Sequence, residues 1–341
     1  MATIDDVAAK AGVGVGTVSR VLNNSPKVSA GTRRRVEDAI ALLDYRPSPL
    51  ARGLSQGRSH SIGAVVPFFT HASAVERLRG VVAGLGSAGY DLVLFDVESP
   101  AHRAEHLGAL ARRDRAAGLL VISLRPPPAE LVRLAEGGVP VVLIDAMGDG
   151  VPAVVTDDVA GGRLATEHLV DLGHRRVAFI GEPPENPFGF TATARRELGC
   201  REVLAAVGAE PTAVEYCEHD RLVAQRVARD LLQSRDRPTA IFASSDVQAS
   251  GVLLAAAELG LRVPGDVSVI GFDDIEISMY AGITTIRQPL FESGRLGAQL
   301  LLERLAEPSA GTEDDLVHEL PLELVVRRTT APPTGRRRAR G

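Results

Sequence analysis

The sequence predicts an α/β protein in which a small helical head precedes two doubly wound lobes with parallel sheets. The first 58 of its 341 residues show helical periodicity and no strand pattern. From Ile62 onward, short runs of Val, Ile and Leu alternate with helical stretches. Strands this apolar are buried on both faces, and helical connections between them imply parallel pairing. Because the alternation is too long for one small sheet, we expect two lobes.

The head is predicted to begin with two short helices. Thr3 can cap a first helix over Ile4–Ala11, with Asp6 in the first turn, where the helix dipole favours a carboxylate. A turn that contains two glycines ends this helix, and a second one is predicted over Val15–Leu22. Two helices joined by a tight turn of this kind are typical of a helix-turn-helix.

A third helix and a short segment complete the head. Ser29 is the expected cap of the third helix, which extends from about residue 30 to residue 43. Residues 48–54 follow, with a proline suited to a first helical turn. This segment is too short to form a stable isolated helix in water.

The body is predicted to hold seven strands joined by helices. The strands are Ile62–Pro67, Leu92–Phe95, Leu119–Ile122, Val139–Ile144, Val177–Ile180, Ala240–Ala243 and Val267–Ile270. The helices are Val75–Ala88, His102–Arg113, Leu131–Glu136, Val159–Leu172, Arg195–Val207, Leu222–Leu232 and Val247–Leu259. Ligands bind such sheets at the carboxyl ends of the strands, so we expect a site in the cleft between the lobes.

Composition excludes several classes of protein. No stretch of 18 residues is free of charges and prolines, so no membrane span is expected. No apolar leader opens the chain, and we therefore expect a cytoplasmic protein. The two cysteines, Cys200 and Cys217, are too few for a disulfide scaffold or a four-cysteine zinc site.

Charge is distributed unevenly along the chain. Residues 1–58 carry nine Lys and Arg against five Asp and Glu, although the whole chain has a net charge of −5. A basic head on an acidic body indicates that the head meets a polyanion, whereas the simpler alternative is a solvated helical face.

Two motifs that could indicate a cofactor or a metal are better explained otherwise. Gly84–Gly89 matches G-x-G-x-x-G, but it ends a predicted helix instead of following a strand, so it reads as helix termination. His102 and His106 lie four residues apart on a helix without a third ligand nearby. No catalytic motif is present, and we expect no enzyme activity, no cofactor and no metal.

In a helix-turn-helix, the second helix enters the major groove and its first turn meets the base edges. Val15 and Gly16 occupy that turn. Thr17 and Ser19 carry hydroxyls suited to phosphates, and Arg20 can reach a guanine or a phosphate. A generic three-helix domain is the alternative, and the positive charge of the head favours DNA binding.

Three stretches make the resemblance specific. TIDDVAAKAGVGVGTVSRVLN, VSAGTRRRVEDAIALLDYRPSPLARGL and SVIGFDD resemble the LacI/GalR family of transcriptional regulators, and the likeness extends from Thr3 to about Arg327. It implies a hinge helix after the head and a body like a periplasmic sugar-binding protein. The expected domains are a head over 1–46, a hinge over 47–59, two lobes over 60–330 and a basic tail over 331–341. The lobes are expected to divide near 156–160, with the chain crossing back near 287–290.

The resemblance also implies DNA contacts. Leu54 matches a leucine that wedges into the minor groove, and Ala51 matches a small residue that lets paired hinge helices approach. The full set expected at DNA is Val15, Gly16, Thr17, Ser19, Arg20, Asn23, Ser29, Ala51 and Leu54.

Effector contacts are implied in the same way. They are Phe68, Phe69, Asp145, Arg196, Ser245, Asp246 and Asp273. Arginine together with carboxylates suits a polyhydroxylated ligand such as a sugar. The structural alternative is salt bridging at the hinge between the lobes.

The function expected from these features is effector-controlled DNA binding, as a repressor. A palindromic operator requires a two-fold axis, so we expect a homodimer. An activator or a corepressor-dependent regulator is the alternative. A plain sugar-binding module would lack the hinge motif, a periplasmic binding protein would need a leader, and a nicotinamide enzyme would need glycines after its first strand.

Overall fold

The computed structural model describes residues 2–22, 25–45, 59–307 and 316–334. Within these ranges, the predicted fold class is confirmed: a three-helix head and two α/β lobes with parallel sheets. No helix in the same ranges is both long enough and apolar enough to span a bilayer.

The head contains α1 (Ile4–Ala11), α2 (Val15–Leu22) and α3 (Ala30–Leu42). The predicted caps are confirmed. The Thr3 hydroxyl accepts from the Asp6 backbone N–H, while the Asp6 carboxylate accepts from the Thr3 N–H in return. The Ser29 hydroxyl accepts from the backbone N–H of Thr32 at the start of α3. The helices enclose a small core formed by Val7, Val18, Val36 and Tyr45.

Lobe 1 contains the first α/β elements after the head and two further elements near the carboxyl terminus of the chain. Its elements are β1 (Ser61–Pro67), α4 (Ala72–Leu85), β2 (Asp91–Val97), α5 (Pro100–Leu110), β3 (Gly118–Ile122), α6 (Pro128–Glu136), β4 (Val141–Ile144) and β5 (Ala153–Val155). The chain returns to this lobe with α12 (Leu290–Ala306) and β11 (Val317–Glu319). The strand order is β11-β5-β4-β3-β1-β2, and all pairs are parallel.

Lobe 2 repeats the architecture. Its elements are α7 (Asp158–Asp171), β6 (Val177–Gly181), α8 (Ala192–Ala206), β7 (Ala213–Tyr216), α9 (Arg221–Gln233), β8 (Ala240–Ala243), α10 (Asp246–Glu258), β9 (Ser268–Asp273), α11 (Glu276–Ala281), β10 (Thr284–Arg287) and β12 (Glu323–Val325). The order is β12-β10-β9-β8-β6-β7, with only β12 antiparallel among the described strands.

The chain passes between the sheets three times, at 156–157, at 288–289 and at 320–322. The third passage was not expected, because β11 and β12 are only three residues each and carry no readable periodicity. The sequence interpretation also missed β5, β7, β10, α11 and α12. Helix α12 contains Gly294 and Gly297, which ordinarily weaken a helix.

Residues 331–334, the first four of the expected basic tail, pack against lobe 2, whereas the arginines of that tail lie outside the described residues. The backbone carbonyl of Ala331 lies 2.9 Å from Nε2 of His174 and accepts from the Ser268 hydroxyl at 3.0 Å. Both side chains are buried and polar, and a buried polar group needs a partner. The Ala331 backbone supplies that partner.

Glycines allow α12 to lie directly on α4. A Cβ on Gly294 would overlap the backbone carbonyl of Arg77, and a Cβ on Gly80 would overlap that of Phe291. The two backbones therefore approach more closely than any larger residue would permit. This contact ties the returning helix to the first helix of lobe 1.

We expect Gly294→Ala to destabilise the protein by about 1–3 kcal/mol, because the added methyl forces the two helix backbones apart. Gly108→Ala is the matched control, since Gly108 lies in α5 with nothing within 4 Å of its added Cβ. The control should be neutral or stabilising by roughly 0.5–1 kcal/mol. Thermal unfolding followed by circular dichroism measures both, and equal midpoints for the two variants would contradict this packing.

Candidate functional site

The candidate DNA-reading surface is the outer side of α2. Val15, Gly16 and Arg20 are exposed there, whereas Val18 and Val21 on the opposite side are buried in the head. Thr17 and Ser19, both half-buried, lie at the boundary. Five of the nine residues expected to contact DNA therefore lie on one short helix. Ser29 lies at the start of α3, where its hydroxyl caps the helix.

Three of the residues expected at DNA lie outside the described residues. They are Asn23, Ala51 and Leu54, and the expected hinge over 47–59 lies there for all but its last residue. Their expected roles stay predictions.

The second candidate site lies where the carboxyl ends of the two sheets meet. Four residues with positive φ line it: Phe68 after β1, Ser123 after β3, Asp145 after β4 and Asp273 at the end of β9. Their φ angles are 46°, 51°, 60° and 109°. Such conformations cost free energy in residues other than glycine and cluster at functional sites. Their concentration at one edge of both sheets marks the cleft between the lobes.

Asp145 is the charged group that lobe 1 brings to the cleft. Its Oδ2 accepts from the Ser123 hydroxyl at 2.7 Å and lies 3.0 Å from Nη2 of Arg77. Arg77 is 4% exposed, so its charge needs this partner. Within the described residues, the other oxygen of Asp145 accepts no hydrogen bond.

Arg196 is the corresponding group of lobe 2. Its Nε donates to Asp158 at 2.8 Å, and its Nη1 donates to the backbone carbonyl of Ser244. The same Nη1 lies 3.8 Å from Oδ1 of Asp273, and the guanidinium stacks 3.6 Å above the ring of Phe272. These contacts fix the guanidinium in one plane at the cleft.

Gln288 joins the two lobes. Its amide nitrogen donates to Oδ1 of Asp273 at 2.6 Å, while its amide oxygen accepts from Arg77 and from the Thr156 hydroxyl, each at 3.3 Å. A continuous chain of polar contacts therefore leads from Asp145 in lobe 1 to Asp273 in lobe 2. Gln288 lies on the second passage between the sheets, so the chain of contacts bridges the hinge.

Arg77 and Gln288 were missed by the sequence interpretation. Arg77 belongs to the buried stripe of α4 that also contains Ala74 and Val81. A charge on such a stripe was the available signal, because an arginine is almost never buried without a partner.

Asp246 and Ser245 sit one layer behind the cleft. Asp246 is fully buried; its Oδ1 accepts from the Thr285 hydroxyl at 2.6 Å and its Oδ2 from the Ile275 N–H at 3.0 Å. The Ser245 hydroxyl caps α10 by accepting from the Gln248 N–H. The geometry favours a supporting role for both residues over the direct effector contact expected above, because each already has its partners within lobe 2.

The pKa values of the buried carboxyls follow from this arrangement. Burial raises the pKa of Asp273, and the nearby Arg196 opposes this rise only in part. Burial also raises the pKa of Asp246, with repulsion from Asp273 adding to the effect. For Arg196, burial favours the neutral form, but Asp158 and Asp273 outweigh it and the pKa lies above its ordinary value.

Phe68 and Phe69 directly follow β1, at the carboxyl end of the lobe 1 sheet, and their expected effector contact stays a prediction. Phe68 packs edge-on against Phe188 of lobe 2, with ring centroids 5.4 Å apart. Phe69 is 39% exposed, and its backbone N–H donates to Asp96. Phe188 was not predicted, because it lies in a loop without regular periodicity.

The two motifs weighed as alternatives lie at the end of α4 and on α5. Helix α4 ends at Leu85, and Gly86 follows with a φ of 47°, which confirms helix termination as the reading of the glycine motif. His106 places its Nε2 3.2 Å from the backbone carbonyl of Asp96. The described part of the chain holds no group of three or more His, Cys, Asp or Glu side chains arranged for a metal ion.

Comparison with known proteins agrees with this geometry. Residues 3–48 match the bacterial regulatory proteins of the lacI family, and residues 166–330 match a periplasmic binding protein-like domain. The ribose operon repressor of Escherichia coli K12 is 35% identical over 316 residues, which cover 91% of this chain and 94% of the repressor. The chain belongs to the LacI family.

Solved structures extend the likeness of this LacI-family protein to nearly its whole length. The lac repressor dimer bound to operator and the anti-inducer ONPF matches with a TM-score of 0.81 at 28% identity, over 97% of this chain and 99% of that one. A LacI-family regulator from Enterococcus faecium with bound ribose matches with a TM-score of 0.71 at 29% identity, over 80% of this chain and 100% of that one.

Arg196→Met should destabilise this LacI-family protein by about 3–5 kcal/mol, because it leaves the buried carboxylates of Asp158 and Asp273 without their cation. Arg201→Met, which removes a half-exposed arginine from the same helix, is the control and should cost less than about 1 kcal/mol. Thermal unfolding at neutral pH compares the two. A similar loss of stability in both variants would show that the buried ion pairs stabilise the protein no more than an exposed one does.

Proposed function

We propose that this protein is a transcriptional repressor that binds a palindromic operator as a homodimer and that a sugar bound between its lobes controls its operator affinity. The observation that supports this most is the pairing of an exposed reading helix with a two-lobed cleft bridged by Gln288. A ligand held by both lobes changes the angle between them, and such a change can reach the heads of a dimer.

The DNA-binding part of the proposal depends on α2. Its exposed first turn, with Val15 and Gly16, would meet base edges, while Arg20 one turn later would reach a guanine. Gly16 has no side chain, so its contribution is close backbone approach. Ala51 and Leu54 would act in the minor groove, as the family resemblance implies.

The effector part depends on three groups at the cleft. One oxygen of Asp145, one of Asp273 and Nη2 of Arg196 have no hydrogen-bond partner among the described residues. Two acceptors and one donor, supplied by both lobes, suit neighbouring hydroxyls of a sugar, which both donate and accept. Phe68 and Phe69 would add an apolar wall. The ribose named with the Enterococcus faecium structure is one member of this ligand class.

The homodimer would form through apolar side chains exposed on both lobes. On lobe 1 they are Val75, Val82, Val93, Leu94 and Phe291. On lobe 2 they are Leu222, Leu254, Met279 and Tyr280. Exposed apolar side chains that lie next to one another mark interfaces, and Val75 and Val82 lie two turns apart on the same side of α4. A dimer that uses both lobes would sense their relative rotation.

Arg20→Ala should weaken operator binding by about 1–3 kcal/mol and relax base preference at one position of each half-site. Selection from a random DNA pool with the full-length protein identifies the operator, and fluorescence anisotropy then measures affinity. Arg262→Ala, which removes an exposed charge from lobe 2, is the control and should bind as the wild type does. A loss that is uniform across sequences, with a smaller salt dependence, would make Arg20 a phosphate contact instead.

Asp273→Asn should abolish or strongly weaken effector binding, because the carboxylate facing the cleft accepts hydrogen bonds that an amide cannot fully replace. Calorimetric titration against a panel of pentoses and hexoses measures this, with Asp266→Asn as a surface control in the same lobe. A sugar that binds both variants equally would place the site elsewhere.

Operator DNA should shift sugar affinity by the same factor as sugar shifts operator affinity, a coupling of about 1–3 kcal/mol.

A further inference from the structure

Five aromatic rings form a continuous row across the cleft. In order, they are His219, His71, Phe68, Phe188 and Phe190, with successive ring centroids 4.8, 5.3, 5.4 and 5.2 Å apart. His71 and Phe68 belong to lobe 1, and the other three belong to lobe 2. This ring ladder therefore crosses between the lobes twice, once through two histidines and once through two phenylalanines.

The phenylalanine crossing is apolar and rigid. Phe188 is 7% exposed and packs into the core cluster of lobe 1 with Val65 and Val97. Its loop is fixed by Asn186, whose Oδ1 accepts from the backbone N–H groups of Phe188 and Phe190. This crossing holds the lobes together by burying apolar surface, and its strength does not depend on pH.

The histidine crossing carries titratable groups. The imidazoles of His71 and His219 are stacked with an interplanar angle of 26°. His71 faces His219, and Glu182 and Asp96 are the carboxylates near it. Nδ1 of His219 lies 3.8 Å from Oε2 of Glu182. The charges of Asp273 and Arg196 also act on the His219 ring. One charged ring on one neutral ring is a favourable stack, whereas two charged rings at this distance repel.

The surroundings of the two rings set their order of protonation. Burial lowers the pKa of His71, and the neighbouring His219 lowers it further. Burial acts on the pKa of His219 in the same direction, but Glu182 outweighs it and raises that pKa above its ordinary value. As the pH falls, His219 therefore gains its proton before His71 does.

We propose that the ring ladder is a pH-sensitive clasp, which holds the two lobes together near neutral pH and releases them when His71 as well as His219 is protonated. The opening and closing of the lobes does not depend on DNA or a ligand. That this movement controls the entry of an effector rests on the proposed function. Glu182 lies in the same lobe as His219, so their pairing persists when the cleft opens. Protonation of His71 is thus the step coupled to opening.

The sign follows from linkage. In an open cleft His71 faces solvent and titrates near its ordinary pKa of about 6.5. In the closed cleft its pKa is lower, so opening takes up a proton. Closure is fully stabilised above about pH 6.5 and weakens as the pH falls through the lower pKa of the closed state.

Small-angle X-ray scattering of the full-length protein, without DNA or sugar, tests the clasp at about pH 7.5 and about pH 5.5. The radius of gyration of the wild type should rise at the lower pH. His71→Phe keeps a ring in place that cannot be protonated, and its radius should stay at the closed value. His219→Phe removes the repelling charge but leaves the buried His71 able to take up a proton, so its expansion should lie between that of His71→Phe and that of the wild type. Phe188→Ala should be open at both pH values and defines the open radius.

His102→Phe is the control, because His102 is an exposed histidine outside the ring ladder and should keep the wild-type response. Expansion of His71→Phe to the same extent as the wild type would overturn the proposal. So would a wild-type radius that does not change, or a Phe188→Ala variant that stays closed at the higher pH. Because neither DNA nor sugar is present, failure to find an effector leaves this result unaffected.

Discussion

The buried charges of the two lobes are joined through the hydrogen bonds of one amide side chain. Gln288 is 6% exposed and lies on the second passage between the sheets, where its oxygen faces Arg77 and its nitrogen faces Asp273. Only a group that donates on one side and accepts on the other can join an arginine to a carboxylate in this way. Gln288 therefore links a buried cation of lobe 1 to a buried carboxylate of lobe 2, and buried charges of this kind need such partners.

This constraint links ligand binding to shape. The carboxylates of Asp145 and Asp273 each use one oxygen within the polar chain, and the other oxygen of each accepts no hydrogen bond from the described residues. A ligand that binds the free oxygens therefore acts on the same groups that position the lobes. The energy available for control is the difference in its affinity for the two lobe arrangements, and nothing more.

In each lobe, closely packed helices position the side chains that form the polar contacts between the lobes. In lobe 1, α12 carries the chain away from Gln288 and lies on α4, the helix that holds Arg77; Gly80 and Gly294 permit the contact. In lobe 2, α7 and α8 meet through Gly162 and Gly199 in the same manner, which brings Asp158 to Arg196. The glycines at these contacts therefore fix the backbone positions from which the charged side chains of the cleft extend.

The sequence by itself determined the head, the alternation of strands and helices, and the family. The capping pattern at Thr3 and Asp6 and the apolar run Leu119–Ile122 are local signals, because caps and buried strands depend on neighbours within a few residues. Asp145, Arg196 and Asp273 could also be named in advance from a resemblance in their surrounding motifs. Only the tertiary structure decided that Asp246 sits behind the cleft, that Arg77 and Gln288 bridge it, and that His71 meets His219. Each of these depends on which oxygen, amide or ring from a distant segment fills the adjacent space, and no local pattern contains that information.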